Sequence, residues 1–190
     1  MGRILALDVS LTATGWVVVD TEVEGPEKLV GAGCVRSAPD PKKRRQGRFA
    51  EATLERVAHV VRELYIILSQ SSPIDLLVAE QPAGSQSFVA ALSQGIMYGI
   101  IGSIREREKI PCQWVQPAAV KQSAGGSKQA SKEGVQAGVL KSWPEISEMK
   151  LTKVAHEAIC DALGALMAAR NTDLYRMVQT EKGPPTRVVL

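Results

Sequence analysis

The first residues of this chain that could do chemistry are acids placed where buried strands are predicted to end. Asp8 follows an apolar run over residues 3–7, and Glu80 follows a second, mostly apolar run over residues 74–79. Buried strands normally exclude acids, and binding sites of open α/β sheets collect at the carboxyl ends of strands. We therefore expect Asp8 and Glu80 to belong to one site.

A second pair of acids lies in the last long helical segment, residues 151–170. Glu157 and Asp161 are four residues apart and share one face of this otherwise apolar segment. An unpaired buried carboxylate is costly, and no lysine or arginine partner is obvious from the sequence. Because Mg²⁺ prefers such ligands, the four acids predict a metal site in which two ions roughly 3.5 to 4 Å apart promote phosphodiester hydrolysis. The alternative is that each acid caps a helix or pairs with a surface base.

Hydrophobic periodicity predicts the elements that must position these acids. Apolar runs at hairpin distances predict an antiparallel meander of three strands over residues 3–7, 16–19 and 28–35. Two buried strands, 74–79 and 113–115, alternate with helices over 49–68, 87–107, 118–122, 132–141 and 151–170. The predicted fold class is α/β, a mixed five-stranded sheet with helices on both faces. Residues 1–170 form the predicted domain, and residues 171–190 a flexible C-terminal tail.

Composition and charge exclude several classes of protein. The chain has 190 residues, of which 45% are hydrophobic and 23% charged, and its formal net charge is +3. These values are typical of a folded globular domain and exclude a disordered or fibrous chain. No stretch reaches the roughly 18 uninterrupted apolar residues of a membrane span, and Asp8 would fall inside the core of a signal peptide. We expect a cytoplasmic protein, of a bacterial cell or a phage-infected host, without a membrane partner.

The cysteines give no sign of a disulfide framework or a zinc site. There are three of them, an odd number without Cys-x-x-Cys spacing. We predict buried free thiols at Cys34, Cys112 and Cys160.

Four short segments carry a resemblance to a known family. They are residues 4–16 (ILALDVSLTATGW), residues 79–81 (AEQ), residues 120–135 with two lysines eleven apart, and residues 161–165 (DALGA). In this order they resemble the motifs of RuvC-type Holliday junction resolvases of the RNase H-like superfamily. The likeness covers about residues 3–170, and the ordered set is far more specific than any one segment.

The resemblance implies a homodimeric endonuclease that depends on Mg²⁺, with Mn²⁺ able to substitute, and that nicks two strands of a four-way DNA junction. Carried over position by position, it makes Asp8, Glu80 and Asp161 metal ligands. It also implies that Lys132 assists catalysis at the scissile phosphate, where positive charge stabilises the transition state.

The fourth metal ligand departs from the bacterial pattern. Bacterial members have an acid or histidine three residues before the last aspartate, where this chain has Ala158. The Glu-x-x-x-Asp spacing of Glu157 instead resembles that of the chloroplast resolvases. His156 points some 140° away from Asp161 at about 100° per residue, so we expect it to be structural or to support the ligands.

Basic residues supply the second half of the expected site. Between Arg36 and Arg48 there are six bases and one acid. Contacts of such residues with phosphates add salt-dependent affinity. The predicted DNA-binding residues are Lys42, Lys43, Arg44, Arg45, Arg48, Lys121, Lys128 and Lys132. The alternative is a solvated loop and ordinary surface lysines.

One further departure from the bacterial pattern concerns the substrate, and one feature of the sequence concerns the partner. Bacterial members carry an aromatic residue three positions after the second acid, which stacks on an unpaired base, whereas this chain has Ala83. Phe88 is the available substitute if the loop bends differently. The helix over residues 87–107 is rich in small residues, which predicts either a dimer seam or ordinary packing on the sheet.

Two other functions match part of the pattern. Residues 8–15, Asp-x-x-x-Thr-x-Thr-Gly, also resemble the phosphate loop of sugar kinases and actin-like ATPases. Those proteins need two such lobes, and 190 residues supply one. A non-catalytic junction-binding module is the other alternative, with Ala83 and Ala158 as signs of decay, although the retention of three matched acids argues against it.

Overall fold

The computed structural model describes residues 2–23, 25–38, 41–42, 47–82, 84 and 87–180. The strands are β1 (Arg3–Asp8), β2 (Ala13–Asp20), β3 (Lys28–Arg36), β4 (Leu76–Glu80) and β5 (Cys112–Val115). The helices are α1 (Phe49–Ser71), α2 (Phe88–Glu108), α3 (Pro117–Gly125), α4 (Lys132–Ser142), α5 (Glu145–Glu148), α6 (Lys153–Ala169) and α7 (Asp173–Thr180).

The five strands form one mixed sheet in the order β3-β2-β1-β4-β5. β2 pairs antiparallel with both β1 and β3, as the predicted meander requires. β4 lies parallel to β1, and β5 lies parallel to β4 after the crossover helix α2. The central strand β1 therefore has one antiparallel and one parallel neighbour, and the predicted sheet is confirmed.

Each face of the sheet is covered by its own group of helices, because side chains alternate between the two faces along a strand. On one face Ile4 and Ala6 of β1 pack with α3, α4 and α6. On the other face Leu5 and Leu7 pack with α1 and α2. The prediction of helices on both faces is therefore confirmed.

The second strand is longer than its sequence indicates. It begins at Ala13, which pairs with Arg36, whereas the apolar run that predicts it begins at Trp16. Thr14 is fully buried and its hydroxyl donates to the carbonyl oxygen of Ser10. The polar residues after Asp8 therefore continue into the sheet, because the hydroxyl finds its hydrogen-bond partner in the preceding turn.

The prediction of a flexible C-terminal tail is wrong for residues 173–180. Residues 173–180 form α7, in which Tyr175 is only 3% exposed. The Tyr175 hydroxyl donates to the carboxylate of Glu27, and Arg170 Nε donates to the same carboxylate at 2.6 Å. These charge-assisted bonds hold α7 against the connection between β2 and β3. Residues 181–190 lie outside the described residues.

The cysteines follow the prediction in part. All three are free thiols, as expected. Cys160 is buried, whereas Cys34 and Cys112 are only half-buried, because they lie on the strands that form the two edges of the sheet.

The helix α2 covers the sheet with one side and leaves the other side open. Met97, Ile101 and Ile104 pack against the sheet together with α1. By length and composition, α2 is the one helix of the described residues that could cross a membrane, and 22% of its most apolar window is buried. The exposed side carries the apolar residues Phe88, Val89, Leu92 and Tyr98.

Candidate active site at the carboxyl ends of β1 and β4

Asp8 and Glu80 lie side by side because β1 and β4 are adjacent parallel strands. Leu7 pairs with Ala79, so the two acids that follow end their strands at the same level. Alternation along each strand directs both side chains toward the face of the sheet that α6 covers. The structure thus brings together the two acids that the sequence analysis assigns to one site.

A close approach between β2 and α6 brings the third acid to this edge of the sheet. Gly15, the partner of Asp8 in the β1–β2 register, lies against the backbone of Ala158. A Cβ atom at Gly15 would lie 2.0 Å from the carbonyl oxygen of Ala158, so only glycine allows the helix to lie this close. Asp161 follows Ala158 by about one helical turn and reaches the same cavity as Asp8.

The three carboxylates open into a cavity of about 480 Å³. Lys121 of α3 and Lys132, the first residue of α4, line the same cavity. Gln81, Gln94 and Ser131 add polar groups to its wall. A cavity that combines acids with two lysines fits a phosphate group whose negative charge is shared between lysines and cations.

Burial raises the pKa of all three carboxyl groups, and repulsion from a neighbouring acid adds to it at Asp8 and Glu80. Burial and the charges of Asp161 and Glu80 raise the pKa of Asp8 to about 7, although Lys132 acts in the opposite direction. Burial and the charge of Asp161 raise the pKa of Glu80, and burial raises the pKa of Asp161. A bound cation would stabilise the ionised form of these carboxyl groups and so lower their pKa.

The expectation that the acids lack a basic partner is wrong. Lys132 Nζ lies 3.3 Å from Asp161 Oδ2 and 3.4 Å from Glu157 Oε2. Lys132 precedes Glu157 by 25 residues, so their contact depends on how α4 packs against α6. Sequence spacing within α6 alone does not reveal this pairing.

Glu157 lies beside the cavity rather than among the described residues that line it. Its side chain is 35% exposed, and Glu157 Oε1 lies 3.9 Å from Lys153 Nζ. The neighbouring Ala158 is 5% exposed and packs onto Gly15, so that position has no room for an acid. His156 Nδ1 lies 3.9 Å from Cys160 Sγ, which is a contact within α6.

The donor set fits a hard divalent cation. Carboxylate oxygens are the protein ligands that Mg²⁺ prefers, and here they come from three separate elements. Lys132 lowers the pKa of Asp8, but burial and the charges of Asp161 and Glu80 outweigh its effect. Within the described part of the chain, no three His, Cys, Asp or Glu side chains already stand in the arrangement of a metal site. Lys132 is the cation that Asp161 contacts in the structure.

The structure describes five of the eight predicted DNA-binding residues. Lys121 and Lys132 line the cavity, and Lys128 is exposed in the turn that follows α3. Lys42 is exposed, and Arg48 Nε lies 3.4 Å from Glu51 Oε2 at the start of α1. The remaining three, Lys43, Arg44 and Arg45, lie outside the described residues.

The proposed substitute for the missing aromatic residue is accessible. Phe88 is the first residue of α2 and is 80% exposed. Ala83 lies outside the described residues.

Two residues of this site receive no role from the sequence analysis. Gly15 falls between the first two apolar runs, and a glycine next to a strand pattern is a known signal of close backbone approach. Gln94 interrupts an apolar helix and lines the cavity, and a polar residue within an apolar segment was its signal.

The stability of the metal-free protein is expected to fall as the pH rises from 5 to 8. In the unfolded chain Asp8 ionises near its ordinary pKa of 3.8, whereas in the folded chain it keeps its proton up to a pKa of about 7. The folded state therefore binds more protons in this interval, and its stability decreases as the pH rises. Thermal melts in the presence of EDTA measure this change.

Thermal melts of the variant Asp8→Asn are the control for this prediction. Asp8→Asn removes the titrating group, so the decrease in Tm between pH 5 and 8 is expected to become smaller. A Tm that rises over this interval in the wild-type protein would contradict the raised pKa of Asp8.

Comparison with solved structures identifies the fold. RuvC of Thermus thermophilus matches with a TM-score of 0.67 and 22% identity, over 88% of this chain and 95% of that chain. The same bacterium's RuvC in complex with a Holliday junction substrate matches with a TM-score of 0.68 and 20% identity, over 94% of this chain and 98% of that chain. The chain has the fold of RuvC.

More distant structures share the RuvC fold. The yeast mitochondrial Holliday junction resolvase matches with a TM-score of 0.63 and 7% identity, over 94% of this chain and 80% of that chain. No protein-family model and no curated protein matches the sequence. The matches to solved structures confirm the predicted RNase H-like fold.

Proposed function

We propose that this protein is a metal-dependent, structure-selective endonuclease that resolves four-way DNA junctions. The observation that carries the proposal is the meeting of Asp8, Glu80 and Asp161 in one cavity whose wall also carries Lys121 and Lys132. The fold supports the same substrate class, because one of the matching structures contains a Holliday junction. The match covers 95% of the T. thermophilus RuvC chain, so this protein includes nearly all of that fold.

Asp8, Glu80 and Asp161 are the proposed ligands of Mg²⁺ or Mn²⁺. Bound divalent ions would supply Lewis-acid stabilisation of the phosphate and activation of water. Glu157 is the proposed fourth ligand. Its support is the half-exposed side chain beside Asp161, together with the packing of Ala158 that excludes a ligand from the next position.

The two lysines hold the DNA strand at the acids. Lys121 and Lys132 are exposed at the cavity and neutralise phosphate charge, and Lys132 is close enough to Asp161 to stabilise charge that develops at the scissile phosphate. Lys42, Arg48 and Lys128, which are exposed, are proposed as further contacts with the DNA backbone. Phe88 is the proposed aromatic residue that stacks on an exposed base, since it is 80% exposed.

Cleavage of an end-labelled, immobile four-way junction tests the proposed function. Linear duplex of the same sequence is the matched control, and each DNA is incubated with Mg²⁺ or with EDTA. We expect nicks in the junction that require metal, and little cleavage of the duplex. Binding of the junction without cleavage would instead support a non-catalytic module, and absence of both would contradict the proposal.

A second copy of this chain is the proposed partner of the exposed side of α2. Val89, Leu92 and Tyr98 are all more than a third exposed on this helix. A Cβ atom at Gly95, Gly99 or Gly102 would meet nothing within 4 Å, so the small-residue side is open. Such a surface is unusual for a monomer and allows two helices to pack closely.

The dimer is expected to dissociate when a charge is placed on this side of α2. Leu92→Glu should convert a dimer to a monomer in light scattering coupled to size-exclusion chromatography, because it buries an unpaired carboxylate in the seam. Met177→Glu on α7 is the matched control, since Met177 is 49% exposed on another helix. A wild-type monomer at micromolar concentration, or a Leu92→Glu dimer, would contradict this interface.

A further inference from the structure

The helix α1 contacts the turn that follows the acidic strand β1. Arg56 of α1 donates from its NH2 group to Thr12 Oγ1 at 3.1 Å, and from Nε to Ser37 Oγ at 3.2 Å. The same NH2 group lies 3.5 Å from the carbonyl oxygen of Ser37. One guanidinium therefore joins α1, the β1–β2 turn and the end of β3.

The groups that Arg56 contacts are themselves bonded to the turn. Ser37 N donates to the carbonyl oxygen of Thr12 at 3.0 Å, and the Ser37 hydroxyl donates to the carbonyl oxygen of Leu11. Thr12 N donates to Ser10 Oγ at 3.3 Å, and Ser10 N donates to the carbonyl oxygen of Asp8 at 3.2 Å, at the beginning of the turn. A short series of hydrogen bonds thus leads from Arg56 to the residue that carries the first acid.

The surroundings of Arg56 distinguish it from an ordinary surface arginine. Among the described residues, its hydrogen-bond acceptors are hydroxyl and carbonyl oxygens, and no carboxylate lies within ion-pair distance. It borders a small cleft formed by Leu11, Ala52 and Ile96, among others. Burial lowers the pKa of Arg56. Arg56 is half-buried, and these hydrogen bonds from its planar guanidinium account for its place in the fold.

We infer that Arg56 is a positioning residue, which holds the β1–β2 turn so that Asp8 keeps its orientation toward the cavity. This inference rests on the proposed nuclease function and adds a residue on the opposite face of the sheet from α6. Arg56 contacts neither the acids nor the cavity, and it acts through Thr12 and Ser37. Groups that orient a ligand from outside the site typically contribute about 10- to 100-fold to activity.

The test compares Arg56→Ala, Arg56→Lys and the control Arg62→Ala. Arg62 is exposed on the same helix, so its replacement removes the same charge without touching the turn. Single-turnover cleavage at saturating protein measures the rate, a separate titration in EDTA measures the Kd for the junction, and hydrogen exchange of residues 9–13 reports on the turn. Thr12→Val, alone and combined with Arg56→Ala, removes one hydrogen bond of the series. It tests the same series of bonds if the Arg56 variant does not fold.

Arg56→Ala is expected to slow cleavage about 10- to 100-fold, to change the Kd less than twofold, and to accelerate exchange of residues 9–13. Arg56→Lys should restore part of the rate, and Thr12→Val should add little to Arg56→Ala. A weakened Kd with an unchanged saturating rate would make Arg56 a DNA contact and overturn the inference, as would unchanged exchange. If the wild-type protein cuts no junction, the proposed function fails, whereas the exchange measurement still decides whether Arg56 holds the turn.

Discussion

Asp8→Asn is expected to reduce junction cleavage by about a thousandfold or more while the junction is still bound. Burial, together with the charges of Asp161 and Glu80, raises the pKa of Asp8 to about 7, and Asp8 lines the cavity together with these two acids. Asparagine has nearly the same shape but carries no charge to hold a cation. Because metal ions contribute several kcal/mol to transition-state stabilisation, their loss corresponds to several powers of ten in rate.

The assay measures single-turnover cleavage with Mg²⁺ and junction binding with EDTA. Asp173→Asn is the matched control, since its side chain is 96% exposed on α7. We expect this control to cut at the wild-type rate. Undiminished cleavage by Asp8→Asn would remove the acidic cavity from the mechanism, and loss of junction binding would mean that Asp8 acts on the fold rather than on the chemistry.

Gly15→Ala is expected to destabilise the protein by about 3 kcal/mol and to reduce cleavage at least about 100-fold. The added Cβ atom would lie 2.0 Å from the carbonyl oxygen of Ala158, which is backbone and cannot rotate away. Helix α6 must therefore move outward, and overpacking of this kind costs about 1 to 3 kcal/mol or more. Asp161 moves with the helix, and a displacement of about 1 Å in a catalytic group costs about a hundredfold in rate.

Urea unfolding and single-turnover cleavage measure the two effects of Gly15→Ala. Gly134→Ala is the matched control, because a Cβ atom there meets its nearest neighbour at an ordinary 3.6 Å. Alanine also favours a helix over glycine by about 1 kcal/mol, so this control should be as stable as the wild-type protein or more stable. Wild-type stability of Gly15→Ala would contradict the close contact between β2 and α6.

The parts of the site that depend on local pattern are predictable from the sequence. Asp8 and Glu80 interrupt apolar runs, and parallel pairing of the two strands is enough to place them together. The spacing of Glu157 and Asp161 gives a shared side of α6. These predictions use only the periods of strand and helix, which are properties of residues close in sequence.

The parts that depend on packing between distant segments are not predictable in this way. The salt bridge between Lys132 and Asp161 joins two helices, and no spacing rule relates them. No spacing rule relates Gly15 to Ala158 either, although the two residues lie in contact. The helix α7 was missed because Tyr175 is fixed by Glu27, which precedes it by 148 residues.

A supercoiled plasmid that extrudes a cruciform gives the most direct test of the proposed junction resolvase. The protein is incubated with this plasmid in Mg²⁺ or EDTA, with a plasmid lacking the inverted repeat as the control. The two acidic sites of the proposed dimer should cut both strands within one bound complex. We therefore expect linear DNA without accumulation of nicked circles, only from the cruciform plasmid and only with Mg²⁺. Equal cutting of both plasmids, or no cutting of the cruciform, would contradict the assignment of the acidic cavity to junction resolution.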